Sequence, residues 1–355
     1  MGCRMYARYQ SSAGGRRSNG TYRVPRLLAE ITFRESLSTV VEKTVTRIIR
    51  HLFRYRRLMA PDGPCAESPC ATCFDFHYST VASYLARGEP IHFVLPAFPA
   101  KSPNAKKVVG ELPDQAERLA LEFLQSCCEQ LSCFYAPGAR ITICSDGHVF
   151  SDLVGVTDED VTAYGQGIAD MIRQIGGSSI DLFSLENAFG RASFDHVRTE
   201  LMELFATPIE QLRARVLADD AARAMFNGIH RFMFEDQSVL RPEQSRSKLR
   251  EECKYLAYRV IQRSDAWSKL VAKEFPEAVR LSIHPQPAHS EKIGMHLIRT
   301  RDSWLTPWHG VALEEGETFT LVKRSYAEQI GASLIWRNNR PSHFVAVPVA
   351  LQEVV

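Results

Sequence analysis

Between residues 91 and 185, short apolar runs alternate with amphipathic helical patterns. The runs IHFVL (91–95), ARITICS (139–145) and SIDLFSL (179–185) have the length and composition of buried strands. The segments between them place apolar residues at helical spacing. Parallel strands need a crossover, usually a helix, to return the chain to the same edge of the sheet. The alternation therefore predicts an α/β fold with a parallel core.

Similar patterns flank this central region. Four further segments have apolar residues at helical spacing: 35–58, 74–87, 191–232 and 244–262. Five later runs have the pattern of strands: 279–284, 293–299, 318–322, 332–336 and 344–351. The sequence thus predicts a helical insertion, about residues 191–265, followed by C-terminal mixed strands. Its length of 355 residues fits one large domain, residues 31–355, after a short tail.

Composition narrows the classes of partner. The net charge of +2 gives no electrostatic argument for a nucleic-acid partner. No run of about 18 apolar residues is present, so no membrane-spanning helix is predicted. The nine cysteines are an odd number in a long chain, which indicates free thiols in a reducing compartment. We therefore expect a cytoplasmic protein with neither a nucleic-acid nor a membrane partner.

The N-terminus differs from the rest of the chain. Residues 1–29 contain no Asp or Glu and include six arginines: Arg4, Arg8, Arg16, Arg17, Arg23 and Arg26. A segment this poor in apolar residues cannot build a core, which predicts a disordered basic tail over residues 1–30. An Arg-rich, acid-free N-terminus is also typical of a mitochondrial transit peptide. Mitochondrial localisation is therefore the alternative to the cytoplasm.

A stiff, basic loop follows the first predicted strand. Its sequence, LPAFPAKSPNAKKVVGELPD, covers residues 95–114. The prolines restrict the backbone and lower the entropy lost when the loop is ordered. Ligands of open α/β sheets bind beyond the carboxyl ends of strands, where this loop begins. Lys101, Ser102 and Asn104 offer a cation and hydrogen-bond donors to a phosphate. The alternative is a rigid surface connection with solvated lysines.

A carboxylate follows the second predicted strand. Asp146, in CSDGHVFSDL (144–153), would face the crevice beyond the strand end and could act as a base. However, Asp-Gly between two apolar runs is also the commonest short hairpin signal. A structural turn at Asp146 and Gly147 is therefore the alternative interpretation.

Two C-terminal segments carry further candidates. Arg280 and His284 alternate with apolar residues in RLSIHPQ, so they share one face of a strand, and Lys292 begins the next strand. Two cations beside an imidazole suit an anionic substrate, whereas a satisfied polar face of a hairpin is the alternative. In LTPWHGVAL, Trp308 and His309 could form a pocket wall with a proton carrier. A packed turn is the alternative there.

A cysteine-rich segment offers metal ligands. Cys65, Cys70, Cys73 and His77 follow the spacing C-x4-C-x2-C-x3-H, and these side chains could hold zinc. Structural zinc sites usually pair two ligand couples across a longer loop, and His77 lies within a predicted helix. Zinc is therefore not the favoured interpretation, and no metal is expected in the functional site.

Taken together, five segments resemble the isocyanide (isonitrile) synthase family. They occur in the family's order between about residues 53 and 322: PAFPAKSPNAKKVVGELPDQAERLAL, GARITICSDGHVFSDLVGV, RLSIHPQ, KIGMHL and TPWHGV. The family includes bacterial pyoverdine/paerucumarin-type and fungal dityrosine/xanthocillin-type enzymes. The segment SPNAKKVVGELPD and the cysteine-rich loop are similar to the fungal branch. The resemblance implies a Rossmann-like, mostly parallel sheet with helices on both faces.

The resemblance also implies a reaction. The amino group of an L-amino acid, with tyrosine favoured, would condense with the C2 carbonyl of ribulose 5-phosphate to an imine. Proton removals and loss of phosphate would leave the C2 carbon as the isonitrile carbon. Both substrates are small molecules, and no metal or redox cofactor is implied. A downstream Fe(II)/2-oxoglutarate oxygenase or cytochrome P450 would act on the product of this secondary-metabolite or spore-wall pathway.

The candidate residues fit this chemistry in two groups. The expected catalytic residues are Lys101, Asp146, His284 and His309. The expected substrate-binding residues are Ser102, Asn104, Phe150, Arg280, Lys292 and Trp308. Lys101 either clamps the phosphate or acts as a base or Schiff-base amine, and the sequence leaves these roles open. Phe150 and Trp308 are candidates for an aromatic pocket wall.

Two alternative functions remain at this stage. An isonitrile hydrates to a formamide, so an enzyme that forms N-formyltyrosine for dityrosine synthesis is chemically adjacent. A non-catalytic sugar-phosphate-binding protein is the second alternative.

Overall fold

The structure of the protein is a computed structural model, and it describes residues 26–302 and 304–346. The chain divides into two compact units, residues 1–42 and 43–355. Of the first unit, the structure describes residues 26–42, which are helical. The predicted basic tail lies outside the described residues up to position 25, and a helix begins at Arg26.

Secondary structure elements are numbered here in chain order. The described helices are α1 (Arg26–Phe53), α2 (Pro64–Glu67), α3 (Ala71–Arg87), α4 (Gln115–Ser132), α5 (Gly147–Val154), α6 (Asp158–Gln174), α7 (Leu185–Phe189), α8 (Phe194–Phe205), α9 (Ile209–Ala218), α10 (Asp220–Leu240), α11 (Arg246–Glu274) and α12 (Arg324–Gln329). The described strands are β1 (Ile91–Pro96), β2 (Ala139–Cys144), β3 (Ile180–Phe183), β4 (Val279–Ser282), β5 (Lys292–Gly294), β6 (Val311–Glu315), β7 (Thr318–Val322), β8 (Ser333–Arg337) and β9 (Arg340–Val345). A 3₁₀ helix covers Pro307–His309.

The central sheet has five strands in the order β3-β2-β1-β4-β5, and every neighbouring pair is parallel. Chain order reverses at β1, because β2 and β3 lie to one side of it and β4 and β5 to the other. In open α/β sheets this reversal opens a crevice beyond the carboxyl ends of the two central strands. The predicted α/β fold with a mostly parallel sheet is confirmed, and the reversal places the loops after β1 and β4 side by side.

The central strands are buried because elements cover them from more than one side. Five consecutive residues of β1, Ile91 to Leu95, are buried, as expected for a strand inside a parallel sheet. On one face, Val94 belongs to a core cluster with Trp267 and Leu270 of α11. Helix α4 contacts β2. The helices α8 to α11 form the predicted helical segment between β3 and β4.

The Asp-Gly pair after β2 does not form a hairpin. Gly147 begins helix α5, and the apolar residues after it enter the core because Val149 is fully buried. A Cβ atom at Gly147 would lie 2.0 Å from the carbonyl oxygen of Pro99, which only glycine avoids. The hairpin alternative is therefore wrong. The close approach also fixes the loop after β2 against the loop after β1.

A second sheet lies toward the C-terminus. It has the order β7-β6-β9-β8, in which only the β6–β9 pair is parallel. This confirms the predicted mixed C-terminal strands, although their bounds differ. The strand expected at 293–299 ends at Gly294, and the strand expected at 344–351 begins at Arg340. No helix among the described residues is long and apolar enough to cross a membrane.

Candidate active site

Most of the predicted site residues follow strand ends at the carboxyl edge of the central sheet or lie on the 3₁₀ helix, whereas Arg280 and Lys292 lie in β4 and β5 and Phe150 lies in α5. The backbone N–H of Ser102 donates to the carbonyl of Trp308 at 2.9 Å, which joins the loop after β1 to the 3₁₀ helix. The Ser145 hydroxyl donates to the carbonyl of Phe98 at 3.0 Å, which joins the loops after β1 and β2. Segments far apart in sequence are thus held together at one edge.

Phe98 marks the turn out of β1. Its φ angle of 57° lies in the left-handed region, which non-glycine residues rarely adopt. The side chain is buried and packs on Trp308 at a ring-centroid distance of 5.3 Å. Backbone strain of this kind costs about 1–3 kcal/mol and persists where packing overdetermines it, often at functional sites. The contact also places Trp308 in the packed floor beneath the loop.

Lys101 lies in a buried ion-pair cluster. Its ammonium nitrogen is 2.7 Å from Asp114 Oδ2 and 2.8 Å from Glu117 Oε2, and it donates to the Pro307 carbonyl at 3.2 Å. A lysine ammonium has three donors, so these three acceptors use all of them. Asp114 also caps helix α4, since its side chain accepts from Ala116 N at 2.8 Å. In this structure Lys101 therefore has no donor left for a phosphate.

The protonation of this cluster follows from its charge balance. Burial alone lowers the pKa of Lys101, but the charges of Asp114 and Glu117 outweigh it and raise the pKa. Burial raises the pKa of Glu117 to about 8, against the opposing charge of Lys101. These raised pKa values favour a charged Lys101 and a protonated Glu117. The Tyr164 hydroxyl donates to Glu117 Oε1 at 3.2 Å.

Asp236 of α10 holds the tip of the loop after β1. Its carboxylate accepts from Ser102 Oγ at 3.3 Å and from Asn104 Nδ2 at 3.0 Å, and it pairs with Lys107 Nζ at 2.7 Å. Ser102 and Asn104 are both buried. The structure thus places these two predicted phosphate ligands against a carboxylate of the helical segment, and their substrate-binding role stays a prediction.

His309 lies at the end of the 3₁₀ helix, half-buried. Its Nδ1 is 2.9 Å from the Thr306 hydroxyl, and its ring packs edge-on against Phe232 at 4.8 Å. Burial and the charges of Lys107, His284 and Lys101 lower the pKa of His309 to about 3. His309 is therefore a neutral imidazole at physiological pH, able to accept a proton.

His284 follows β4 and is exposed to solvent. Burial, Arg57 and Lys292 lower the pKa of His284 to about 4. Buried Arg57 anchors this region, because its guanidinium donates to the carbonyls of Ile283 and Leu305. One arginine thus holds the segments that lead to His284 and to the 3₁₀ helix.

Arg280 and Lys292 form a pair of half-buried cations. The two residues are direct partners in the β4–β5 register, and both donate to Ser268 Oγ of α11, at 2.7 and 3.2 Å. Burial lowers the pKa of each, and the charge of Arg280 lowers that of Lys292 further. Within the described residues, neither cation has a carboxylate within 4.0 Å. Adjacent cations without ion-pair partners favour binding of a multivalent anion.

Asp146 precedes α5 at the carboxyl end of β2. Its Oδ1 atom is shielded from solvent, and among the described residues none donates a hydrogen bond to it. Burial raises the pKa of Asp146 to about 7. A carboxyl group with a pKa near the working pH can both take and return a proton. Asp146 also raises the pKa of buried Tyr164, which links it electrostatically to the Lys101 cluster.

Phe150 lies apart from the other candidates. It packs against the core cluster that includes Phe183 and Trp267. Its role in an aromatic pocket stays a prediction.

Sequence reasoning missed Asp114, Glu117, Asp236 and Arg57. The capping-box pattern Asp-x-x-Glu at 114–117 could have indicated the first two, whereas Asp236 and Arg57 become neighbours of the site only through the fold.

The cysteine-rich segment adds a second group of ligand atoms. Cys65, Cys70 and Cys73 lie together, and the fourth side chain beside them is His289, with all four ligand atoms within 4.8 Å of one another. His77, expected as the fourth ligand, is buried elsewhere and packs edge-on against Phe53. Sequence spacing gave no signal for His289, which lies on the loop between β4 and β5.

Comparison with known proteins identifies the family of the chain. A family profile described as "Pyoverdine/dityrosine biosynthesis protein" matches residues 81–335. The chain belongs to this family. A protein of Fischerella ambigua named L-tryptophan isonitrile synthase AmbI1 is 50% identical over 309 residues, which are 87% of this chain and 97% of that protein. An L-tyrosine isonitrile synthase of Pseudomonas aeruginosa is 43% identical over 86% of this chain and 95% of that protein.

A solved structure agrees with this family. The crystal structure of the PvcA protein from Pseudomonas aeruginosa matches with a TM-score of 0.81 at 42% identity, over 85% of this chain and 99% of that one. The chain is thus an isonitrile synthase, which excludes the non-catalytic alternative. The expected fungal affinity is wrong: the relatives above are cyanobacterial and bacterial, whereas the isocyanide synthase xanB of Aspergillus fumigatus is 30% identical over 75% of this chain.

The protonation of the Lys101 cluster is open to a stability test. We expect Glu117→Gln to change the free energy of unfolding by less than about 1 kcal/mol, because glutamine mimics a protonated glutamate. Lys101→Met leaves a buried carboxylate unpaired and should cost about 3–5 kcal/mol. Urea unfolding of both variants gives the comparison, with Glu122→Gln on the exposed side of α4 as the control. An equal cost for the first two variants would show that Glu117 is ionised.

Proposed function

We propose that this isonitrile synthase converts the amino group of an aromatic L-amino acid to an isonitrile, with ribulose 5-phosphate as the carbon donor. The proposal of a sugar-phosphate substrate rests on the pair Arg280 and Lys292. These two half-buried cations share Ser268 and have no carboxylate partner among the described residues. L-Tryptophan is the first candidate because a relative of 50% identity is named for it. L-Tyrosine, which the sequence motifs favoured, is the second, and a relative of 43% identity is named for it.

The arrangement supports the first steps of the reaction. The amine must be neutral to attack the C2 ketone, and a neutral imidazole of His284 or His309 can take its proton. Loss of water then gives the imine. A base removes a proton beside the imine carbon, and we assign this step to Asp146 because its raised pKa makes it a stronger base than an ordinary carboxylate. The cations at Arg280 and Lys292 stabilise phosphate as it leaves.

Lys101 has a supporting role in this proposal. Its three donors are occupied by Asp114, Glu117 and Pro307. We therefore assign it to fixing the loop after β1 and the 3₁₀ helix that carries His309. The phosphate-clamp and Schiff-base roles would both require this ion-pair cluster to open.

Product analysis tests the reaction. We expect the protein, incubated with ribulose 5-phosphate labelled with carbon-13 at C2, to form a labelled isonitrile with L-tryptophan faster than with L-tyrosine. Reaction with a tetrazine and the infrared band of the isonitrile detect the product. Labelled formamide at the earliest time points would instead support the N-formyl alternative. No labelled product with either amino acid, or with a wider panel, would remove the proposal.

Substitution of the cation pair tests the phosphate site. Lys292→Met keeps the length of the side chain and removes its charge. We expect kcat/KM for ribulose 5-phosphate to fall by about 10- to 100-fold, the effect of one charge-assisted hydrogen bond. The KM for the amino acid should change little. The control is Lys248→Met, an exposed lysine at the start of α11; an effect of Lys292→Met no larger than this control would place the phosphate elsewhere.

The pH dependence tests Asp146. We expect kcat/KM to rise with pH through about 7 as Asp146 ionises, and Asp146→Asn to lower kcat by at least about 100-fold and abolish this rise. Because burial raises the folded-state pKa, the stability that protonated Asp146 contributes is present at low pH and is lost as pH rises through about 7.

Asp146→Asn should therefore be at least as stable as the unmodified protein at pH 8, while its activity is lost. Thermal unfolding measures the first and the pH profile the second. Asp62→Asn, an exposed substitution, is the control for both. An Asp146→Asn enzyme that keeps the same pH profile would show that another group acts as the base.

A further inference from the structure

Three sulfur atoms and one imidazole nitrogen converge outside the candidate active site. Cys70 Sγ lies 3.7 Å from Cys65 Sγ and 3.8 Å from Cys73 Sγ. His289 Nε2 lies 3.6 Å from Cys65 Sγ and 3.1 Å from Cys70 Sγ. The ligand atoms come from different parts of the fold: the short helix α2, the N-terminus of α3, and the loop between β4 and β5. Thiolates and imidazoles are typical ligands of a zinc ion.

The spacing fits one tetrahedral ion. With Zn–S of about 2.3 Å and Zn–N of about 2.0–2.1 Å, a tetrahedron has S···S edges of about 3.8 Å and S···N edges of about 3.5 Å. The observed Sγ···Sγ separations of 3.7 and 3.8 Å match the first value. The Nε2 separations of 3.6 and 3.1 Å lie near the second. A disulfide needs its sulfurs about 2.05 Å apart, so these cysteines are not paired covalently.

We propose that Cys65, Cys70, Cys73 and His289 bind a zinc ion. Three thiolates and one imidazole fill all four positions of a tetrahedral zinc, which is typical of a structural rather than a catalytic site. Cys70 caps helix α3 and Cys73 lies in its first turn, where the helix dipole favours the negative charge of thiolates. Arg56 donates to the carbonyls of Cys65 and Ala66 and thereby holds the first ligand in place.

The ion would add a cross-link between two segments that backbone hydrogen bonds and the Arg57 side chain already join. Met59 N donates to the Gln286 carbonyl at 3.0 Å, and Gln286 N donates to the Arg57 carbonyl at 2.9 Å. A metal on His289 fixes the far end of the same loop, which begins beside His284 and ends at Lys292. Zinc would therefore affect the active site indirectly, because it cross-links the loop between His284 and Lys292, two candidate residues of the site.

Metal content tests the site directly. We expect the purified protein to contain about one equivalent of zinc, measured by elemental analysis. Cys70→Ser and His289→Ala should fall well below one equivalent after dialysis. Their matched controls, Cys133→Ser and His196→Ala, change exposed residues outside the group and should retain the metal. Cobalt(II) taken up in place of zinc should show the visible absorption of a tetrahedral thiolate site.

A second measurement does not depend on folding of the variants. Chelation of the unmodified protein should release zinc, expose three further reactive thiols, and speed hydrogen exchange in residues 283–291. A folded protein without zinc even after incubation with it, one equivalent of iron instead, or full metal content in Cys70→Ser would overturn the proposal. Unchanged exchange at 283–291 after chelation would refute the cross-link. None of these measurements uses substrate, so they are independent of the proposed reaction.

Discussion

The buried ammonium of Lys101 is the charge around which the loop after β1 is organised. An unpaired ion in a protein interior costs several kcal/mol, so the chain must bring acceptors to it. Asp114 and Glu117 come from the first turn of α4, and the third acceptor is the Pro307 carbonyl of the 3₁₀ helix. The loop, helix α4 and the segment bearing His309 are therefore fixed by one polar centre.

Positive charge dominates the rest of the cleft. Burial, together with the charges of Arg57, Lys107 and Lys292, lowers the pKa values of His284 and His309, so both imidazoles are neutral before substrate binds. A bound phosphate would offset these cations and raise the pKa values of both histidines. In the proposed reaction, a bound phosphate would therefore make both imidazoles better bases.

Local sequence patterns predicted the secondary structure elements that interactions between neighbouring residues determine. The run IHFVL was predicted as a buried strand, and β1 is indeed buried from Ile91 to Leu95. The site was predictable where a residue follows a strand end, as with Asp146 and His284. Asp236 and His289 carried no signal, because their partners are distant in sequence and meet them only in the folded chain. The burial of Lys101 could not be predicted from the sequence. The residue lies in a loop whose composition is typical of a protein surface, yet the fold encloses it.

The strand order has a consequence for how the enzyme comes into being. Strand β1 pairs with β2 along six residues, but its other neighbour, β4, joins it through Phe93 and Val279 only after α8 to α11 have been made. Contacts of such separation form late, since a long loop must close first. Strands β1, β2 and β3 can thus pair before β4 joins the other edge of β1. The loops after β1 and β4 therefore come to lie side by side only once this pairing has formed.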